Sequence, residues 1–368
     1  MKESSSMLLI GIGTAGCAIV RGVNRAFGEG LRHVLLDTDA KTGAAGGPFV
    51  LLGGDRLSGR GAGGDTVAAR LAAEESIQTI DEHIEGVRLA VIATALGGGT
   101  GCGATLETVT HLSERGIPSI VFATLPFSFE GEERKRNARG IMSMIEELAH
   151  TTFFLPLDKL VQNEDIMDDA MRRAIDTVAT GVTLFWRLAE KPGYIRLDTE
   201  RIRHIISTAG RGRFTAISVQ GATRADDAVD QLSRSELLTT ASAPVRSILC
   251  GILAGDDLRL SEIDRIVKGI KDAFGERLTF DLGTVNDEET FSGRISIVLM
   301  LFESPTQETE KKDDATQPTA ARRTKKSKSP LGIGPNGRGR FHNAEQTFCN
   351  GEDLDIPTFI RRHISLEF

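Results

Sequence analysis

The chain has 368 residues, a formal net charge of −7, an apolar share of 40% and four cysteines. That length allows two modest domains with real cores. The acidic balance argues against a nucleic-acid binder, which would show a basic footprint, and no stretch approaches the ~20 apolar residues that span a bilayer. Cys17, Cys102, Cys250 and Cys349 show no Cys-x-x-Cys spacing, so they read as buried, reduced thiols. With the polar opening Met1-Lys2-Glu3 giving no sign of a leader peptide, the expected location is the cytoplasm.

The first half alternates strand-like and helix-like segments. Strands are expected at 7–10, 33–36, 89–93 and 119–124, and helices at 17–27, 66–82 and 104–115. Such alternation predicts an α/β fold with a Rossmann-like parallel sheet covered on both faces and ligands at the carboxyl edge of its strands. From Asp168 to Ala189 apolar residues recur at Met171, Ile175, Val178, Val182, Phe185 and Leu188, the stripe of one long helix, which Pro192-Gly193 ends.

Beyond it, helices are expected at 201–207, 225–234 and 260–274, and strands at 215–220, 245–254 and 295–302. They make a second α/β sandwich domain. The predicted organisation is a nucleotide domain at 7–165, a central helix at 166–192, a second domain at 193–303, a linker at 304–345 and a terminal peptide at 346–368. Residues 308–328 are charged and nearly devoid of large apolar side chains, so disorder is expected there.

The most informative stretch is Gly97-Gly98-Gly99-Thr100-Gly101-Cys102-Gly103, between a strand and a helix. Glycines let backbone N–H groups converge on an anion, and the helix N-terminus adds positive partial charge. A tight turn explains one or two glycines, not five in seven positions. Earlier, Gly13, Thr14, Ala15, Gly16 and Cys17 form a second strand-to-helix turn of the same kind. Gly11-Ile12-Gly13-Thr14-Ala15-Gly16 also satisfies Gly-x-Gly-x-x-Gly, with Asp37 closing the next strand. An NAD- or flavin-dependent oxidoreductase is therefore an alternative on that segment, although it gives the 97–103 run no role.

The 97–103 run resembles the glycine-rich signature of the tubulin/FtsZ superfamily. Further matches to its FtsZ branch, the bacterial tubulin homologues, are Ile10–Gly16, Leu36–Ala40, Gly59–Gly64, Pro126–Gly131 and Asp353–Arg362. The chain is identified on these motifs as a divergent member. The resemblance implies GTP as the bound nucleotide, with Mg2+ compatible but carried by no motif of its own. It implies contacts from Gly13, Thr14, Ala15, Gly16, Cys17, Gly98, Gly99, Thr100 and Gly101, with Glu130 and Arg134 on the ribose side. It also implies a homo-polymer of head-to-tail filaments that forms the cytokinetic ring at the division site.

Two segments depart from the pattern. The positions whose side chains read the guanine edge in the family are here Ala18, Leu157 and Ile175, and the ring-packing Phe is Met171. Asp158 and Asp176 each lie one step along, and Asp176 is the acid expected at the base. The loop that completes hydrolysis across the filament is Arg196-Leu197-Asp198-Thr199-Glu200-Arg201. Asp198 is kept and Glu200 could substitute for the second acid, but Arg196 and Arg201 stand where an amide and a carboxylate are expected. An arginine stays protonated and cannot act as a base, so weak or absent GTPase activity is expected. A related alternative is a hydrolysis-poor paralogue that copolymerises with a regular FtsZ.

The end of the chain carries Asp353, Leu354, Asp355, Ile356, Pro357, Phe359, Arg361 and Arg362. A short amphipathic segment after a disordered linker reads as a peptide that folds on a partner. By resemblance the partners are membrane-linked division proteins such as FtsA.

Overall fold

Strands that are apolar on both faces must be covered on both faces, which parallel pairing with crossover helices achieves. The computed structural model describes residues 6–303 apart from 29, 162–165, 192, 198, 208–209, 240–243 and 276, together with 348–349 and 352–353. It divides into two units, Met1–Glu308 and Thr309–Phe368. In the second, Phe348–Cys349 pairs antiparallel with Glu352–Asp353. The expected linker and the docking residues from Leu354 to Arg362 lie outside the described residues.

The first half of unit one runs β1 (Met7–Ile12), α1 (Gly13–Phe27), β2 (His33–Asp37), α2 (Ala40–Gly43), β3 (Phe49–Leu51), α3 (Gly54–Leu57), α4 (Thr66–Glu75), α5 (Ile77–Ile84), β4 (Leu89–Ala95), α6 (Gly99–Glu114), β5 (Ser119–Leu125), α7 (Glu132–Leu148) and β6 (Thr151–Pro156). The central helix is α8 (Met167–Glu190). After it come α9 (Thr199–Ser207), β7 (Gly210–Gln220), α10 (Arg224–Ser233), α11 (Glu236–Thr239), β8 (Val245–Ala254), α12 (Leu260–Phe274), β9 (Thr279–Asn286), α13 (Glu288–Phe291) and β10 (Arg294–Glu303).

All ten strands form one sheet, ordered β3-β2-β1-β4-β5-β6-β7-β10-β8-β9. Pairing is parallel from β3 to β7, antiparallel on both sides of β10, and parallel between β8 and β9. The two halves expected from sequence therefore share a sheet. They meet at β6 and β7 through three registered pairs, Thr151 with Gly210, Thr152 with Arg211 and Phe153 with Gly212. Over that short ladder lie the rings of Phe122, Phe153 and Phe214, with centroids 4.9–5.7 Å apart.

Strand alternation sorts the side chains between the faces. Leu9, Val91 and Phe122 join α1 and α8 in one core, which continues to Leu249, Val298 and Met300 of the second half. Leu8, Ile92 and Val121 pack with α6 on the opposite face. A third core sets α10 and α12 on β8 and β10. The C-terminal half of α8, from Gly181 to Ala189, is buried all round, because both halves pack on it. Even Arg187 is buried there: it donates to Asp287 of the second half at 2.9 Å and to the Ala26 carbonyl of α1 at 3.1 Å.

Several boundaries differ from expectation for physical reasons. Helices α1 and α6 begin at Gly13 and Gly99, because the glycine runs coil into the first helical turn rather than forming a loop before it. The expected helix at 66–82 breaks at Ser76, whose hydroxyl donates to Ala72 O and accepts from the Gly53 N–H. Strand β9, with Gly283 in its middle, was unexpected; a Cβ there would lie 2.6 Å from Leu197 Cδ1.

Candidate functional site

The carboxyl ends of β1, β2 and β4 bring the two glycine runs together. Gly13 has φ +73°, and a Cβ on it would sit 3.4 Å from the Gly101 N, so the first turns of α1 and α6 lie side by side. The Thr38 and Thr100 hydroxyls are 2.7 Å apart and tie the β2 end to α6. Thr14, at the exposed start of α1, donates to Asp37 Oδ2 at 3.0 Å. Thr42 donates to the same oxygen at 2.7 Å, while Oδ1 accepts the Thr38 N–H at 2.8 Å.

The glycines divide into two kinds. A Cβ on Gly16 would lie 2.3 Å from Ala93 O, on Gly101 1.9 Å from Ala95 O, and on Gly99 2.8 Å from Asp65 O. These three are demanded by the protein's own backbone packing, not by room for a ligand. Gly98 differs, because no atom lies within 4 Å of its Cβ position. Two adjacent helix N-termini, with their free backbone N–H groups, and open space beside Gly98 fit a phosphate chain. Cys17 offers no side chain to it. Its thiol is buried, donates to Gly11 O, and is pushed up to about 12, first by burial and then by Asp37.

Next to this cradle is a cavity of about 100 Å³ lined by Ala15, Ile19, Leu157, Met171, Ala174 and Ile175, with Glu130 and Arg134 also on its wall. Its apolar walls fit a planar ring. Glu130 Oε1 accepts the Phe127 N–H at 2.9 Å and its Oε2 accepts from Arg134 at 2.6 Å. Asp176 is not part of it. One residue is about 100° of helix, and Asp176 is turned to a separate groove with Arg172, Thr180 and Ser218.

The hydrolysis loop lies at the other edge of the sheet. Glu200 pairs at 2.6 Å with Arg88, the residue before β4, whereas the glycine run follows the end of β4. Seven strand residues separate them, about 20 Å. Gly193 sits where a Cβ would be 2.0 Å from Thr284 O, and Ile195 exchanges hydrogen bonds with Thr284, so the loop is strapped to β9. Glu200 also meets Arg203 at 3.1 Å, and Arg201 donates to Asp281 Oδ1 at 2.7 and 3.0 Å. Arg196 is exposed; Asp198 lies outside the described residues.

The family description "Tubulin/FtsZ family, GTPase domain" matches residues 6–165, and "FtsZ family, C-terminal domain" matches 212–302. The chain belongs to the tubulin/FtsZ family. Its fold resembles FtsZ of M. jannaschii, at 24% identity and TM-score 0.75, covering 80% of this chain and 87% of that one. It also resembles CetZ2 from Haloferax volcanii in a GTPgS-bound protofilament (21%, TM-score 0.68, covering 80% and 92%) and TubZ of Clostridium botulinum phage c-st (13%, 0.59, covering 83% and 94%).

Both glycine runs fall inside the GTPase-domain match, which leaves the oxidoreductase alternative unsupported. Glu200 and Arg201 of the 196–201 loop are paired with Arg88 and Asp281, 112 and 80 residues away in sequence, which no local pattern could have indicated. Among the described residues no helix is long and apolar enough to cross a membrane.

Proposed function

We propose that the protein binds GTP, with Mg2+, in the cradle at Gly13–Cys17 and Gly98–Gly101, and assembles head to tail into filaments. One observation carries this reading: the cradle and the strapped loop of residues 193–201 occupy opposite edges of the same sheet. A loop about 20 Å from the phosphates of its own chain can reach only those of a neighbour, and stacking copies top to bottom brings the two edges together. Asp198 and Glu200 are the acids on the loop. Because Glu200 is held between Arg88 and Arg203, polarisation of a water is weak and hydrolysis is slow.

Such filaments suit a ring at the cytoplasmic division site, attached through Asp353–Arg362 to membrane-linked proteins such as FtsA. A hydrolysis-poor paralogue that copolymerises with a regular FtsZ is the second reading, favoured by the pairing of Arg201 with Asp281. Light scattering and negative-stain microscopy of the full chain test the assembly. Filaments should form with GTP and not without nucleotide, and their absence under GTP would reject the homo-polymer. Filaments only on mixing with a regular FtsZ would select the paralogue.

A further inference from the structure

The ring cavity holds little that can read the edge of a base. Both oxygens of Glu130 are engaged, one by the Phe127 N–H and one by Arg134. Of the nearest other carboxylates, Asp158 accepts from the N–H and hydroxyl of Ser128, and Asp176 faces the separate groove. What remains on the wall is Arg134, which can only donate and is already turned to Glu130, and Thr124, a cavity-lining residue only 4% exposed, whose hydroxyl makes no hydrogen bond among the described residues. A hydroxyl donates or accepts by rotating its proton, so it suits one purine edge as well as another.

We propose that this cavity accepts purine nucleotides with weak discrimination between guanine and adenine, an inference that rests on the reading of the site as a nucleotide pocket. The two bases share a ring outline. They differ at the edge, where guanine presents N1–H and a 2-amino donor and adenine presents an N1 acceptor. Strong selection needs a fixed acceptor facing those donors, because adenine then leaves it buried and unpaired. Sites that hydrogen-bond their substrate in this way reject the lacking analogue by about 10⁴–10⁵, whereas apolar walls discriminate by about 10–200-fold. With Ala15, Leu157, Met171 and Ile175 around the ring, the cavity belongs to the second regime.

The test is calorimetric titration of the full, nucleotide-stripped chain with GTP, ITP and ATP at one Mg2+ concentration. The three dissociation constants should fall within about 200-fold of one another, and ITP, which lacks the 2-amino group, should match GTP. Ile175→Asp adds a carboxylate to the wall and should widen the preference for GTP over ATP at least about tenfold, a change of ~1.4 kcal/mol. An unchanged ratio in that variant counts against the proposal. A wild-type preference for GTP above about 200-fold overturns it while leaving the binding site in place. Failure of all three nucleotides to bind overturns the site reading as well. Should Ile175→Asp not fold, the wild-type ratios alone decide.

Discussion

The Thr14 hydroxyl donates to Asp37 Oδ2 at 3.0 Å, joining the first turn of α1 to the end of β2 across 23 residues of chain. Asp37 is only 2% exposed and also accepts from Thr42 and the Thr38 N–H. With the Asp39 N–H at 3.4 Å from Oδ1, one carboxylate thus holds four donors beside the glycine-rich turns.

Asp37→Ala is predicted to leave those donors unsatisfied, at a cost of about 1–3 kcal/mol, and to weaken nucleotide binding. Asp37→Asn retains one carbonyl oxygen and should lose less on both counts. Urea unfolding without nucleotide, followed by nucleotide titration, separates the two effects. Equal stability of Asp37→Ala and wild type would show that the network contributes nothing.

The two kinds of glycine predict opposite outcomes. Gly101→Ala forces a Cβ to within 1.9 Å of Ala95 O, overpacking that costs about 3 kcal/mol or more. Gly98→Ala meets no atom within 4 Å, and its φ of −87° suits alanine. It should fold with wild-type stability yet bind nucleotide about tenfold more weakly, ~1.4 kcal/mol, because the methyl group enters the cradle. Thermal melts with and without nucleotide distinguish them; a Gly98→Ala chain that binds normally places the phosphates elsewhere.

Hydrolysis is predicted to be slow, and restoring an acid requires attention to Asp281. Arg201→Asp alone would set two carboxylates face to face, since Arg201 now donates to Asp281 at 2.7 Å. Arg201→Asp with Asp281→Asn removes that repulsion and should raise phosphate release per polymerised subunit by about 10²-fold, the lower range for a positioned base. Fast turnover by wild type, lost in Glu200→Ala, would instead assign the acid's role to Glu200.

On α5, Asp81 lies 2.6 Å from His111 Nε2 of α6 and also pairs with Arg115. These contacts, the His111 hydrogen bond foremost, hold the Asp81 carboxyl below its usual range. A carboxylate depressed by folding adds stability above its unfolded pKa of about 4, and that stability is lost as pH falls through the folded value. Asp81→Asn should therefore lower the urea midpoint at pH 6 and lower it less near pH 3. The same decrement at both pH values would point to lost packing instead of charge.

The central helix, the alternation of strands and helices in the first half and the two glycine-rich turns were legible because each rests on local signals: apolar period, glycine density and the break between strand and helix. The helix starts at Gly13 and Gly99 were not, since glycine opposes helix formation locally and only packing on β4 overrides it. The sharing of one sheet by both halves depends on Gly210–Gly212 finding β6, a long-range pairing with no local signature. Asp176 failed by rotation, one residue away from the face that reaches the ring cavity. The pairing of Arg201 with Asp281 spans 80 residues, and it changes the loop from a set of free charges into a closed one.

Three registered pairs at the β6–β7 junction contrast with nine between β7 and β10. Beside the short ladder Phe122 stacks on Phe153, while Phe214 meets Phe122 edge-on. The ladder at this junction is short, and the halves are held together chiefly by the core that they share with α8, from Leu9 and Phe122 to Val298 and Met300. Amide protons of Gly210–Gly212 should accordingly exchange with solvent well before those of β10.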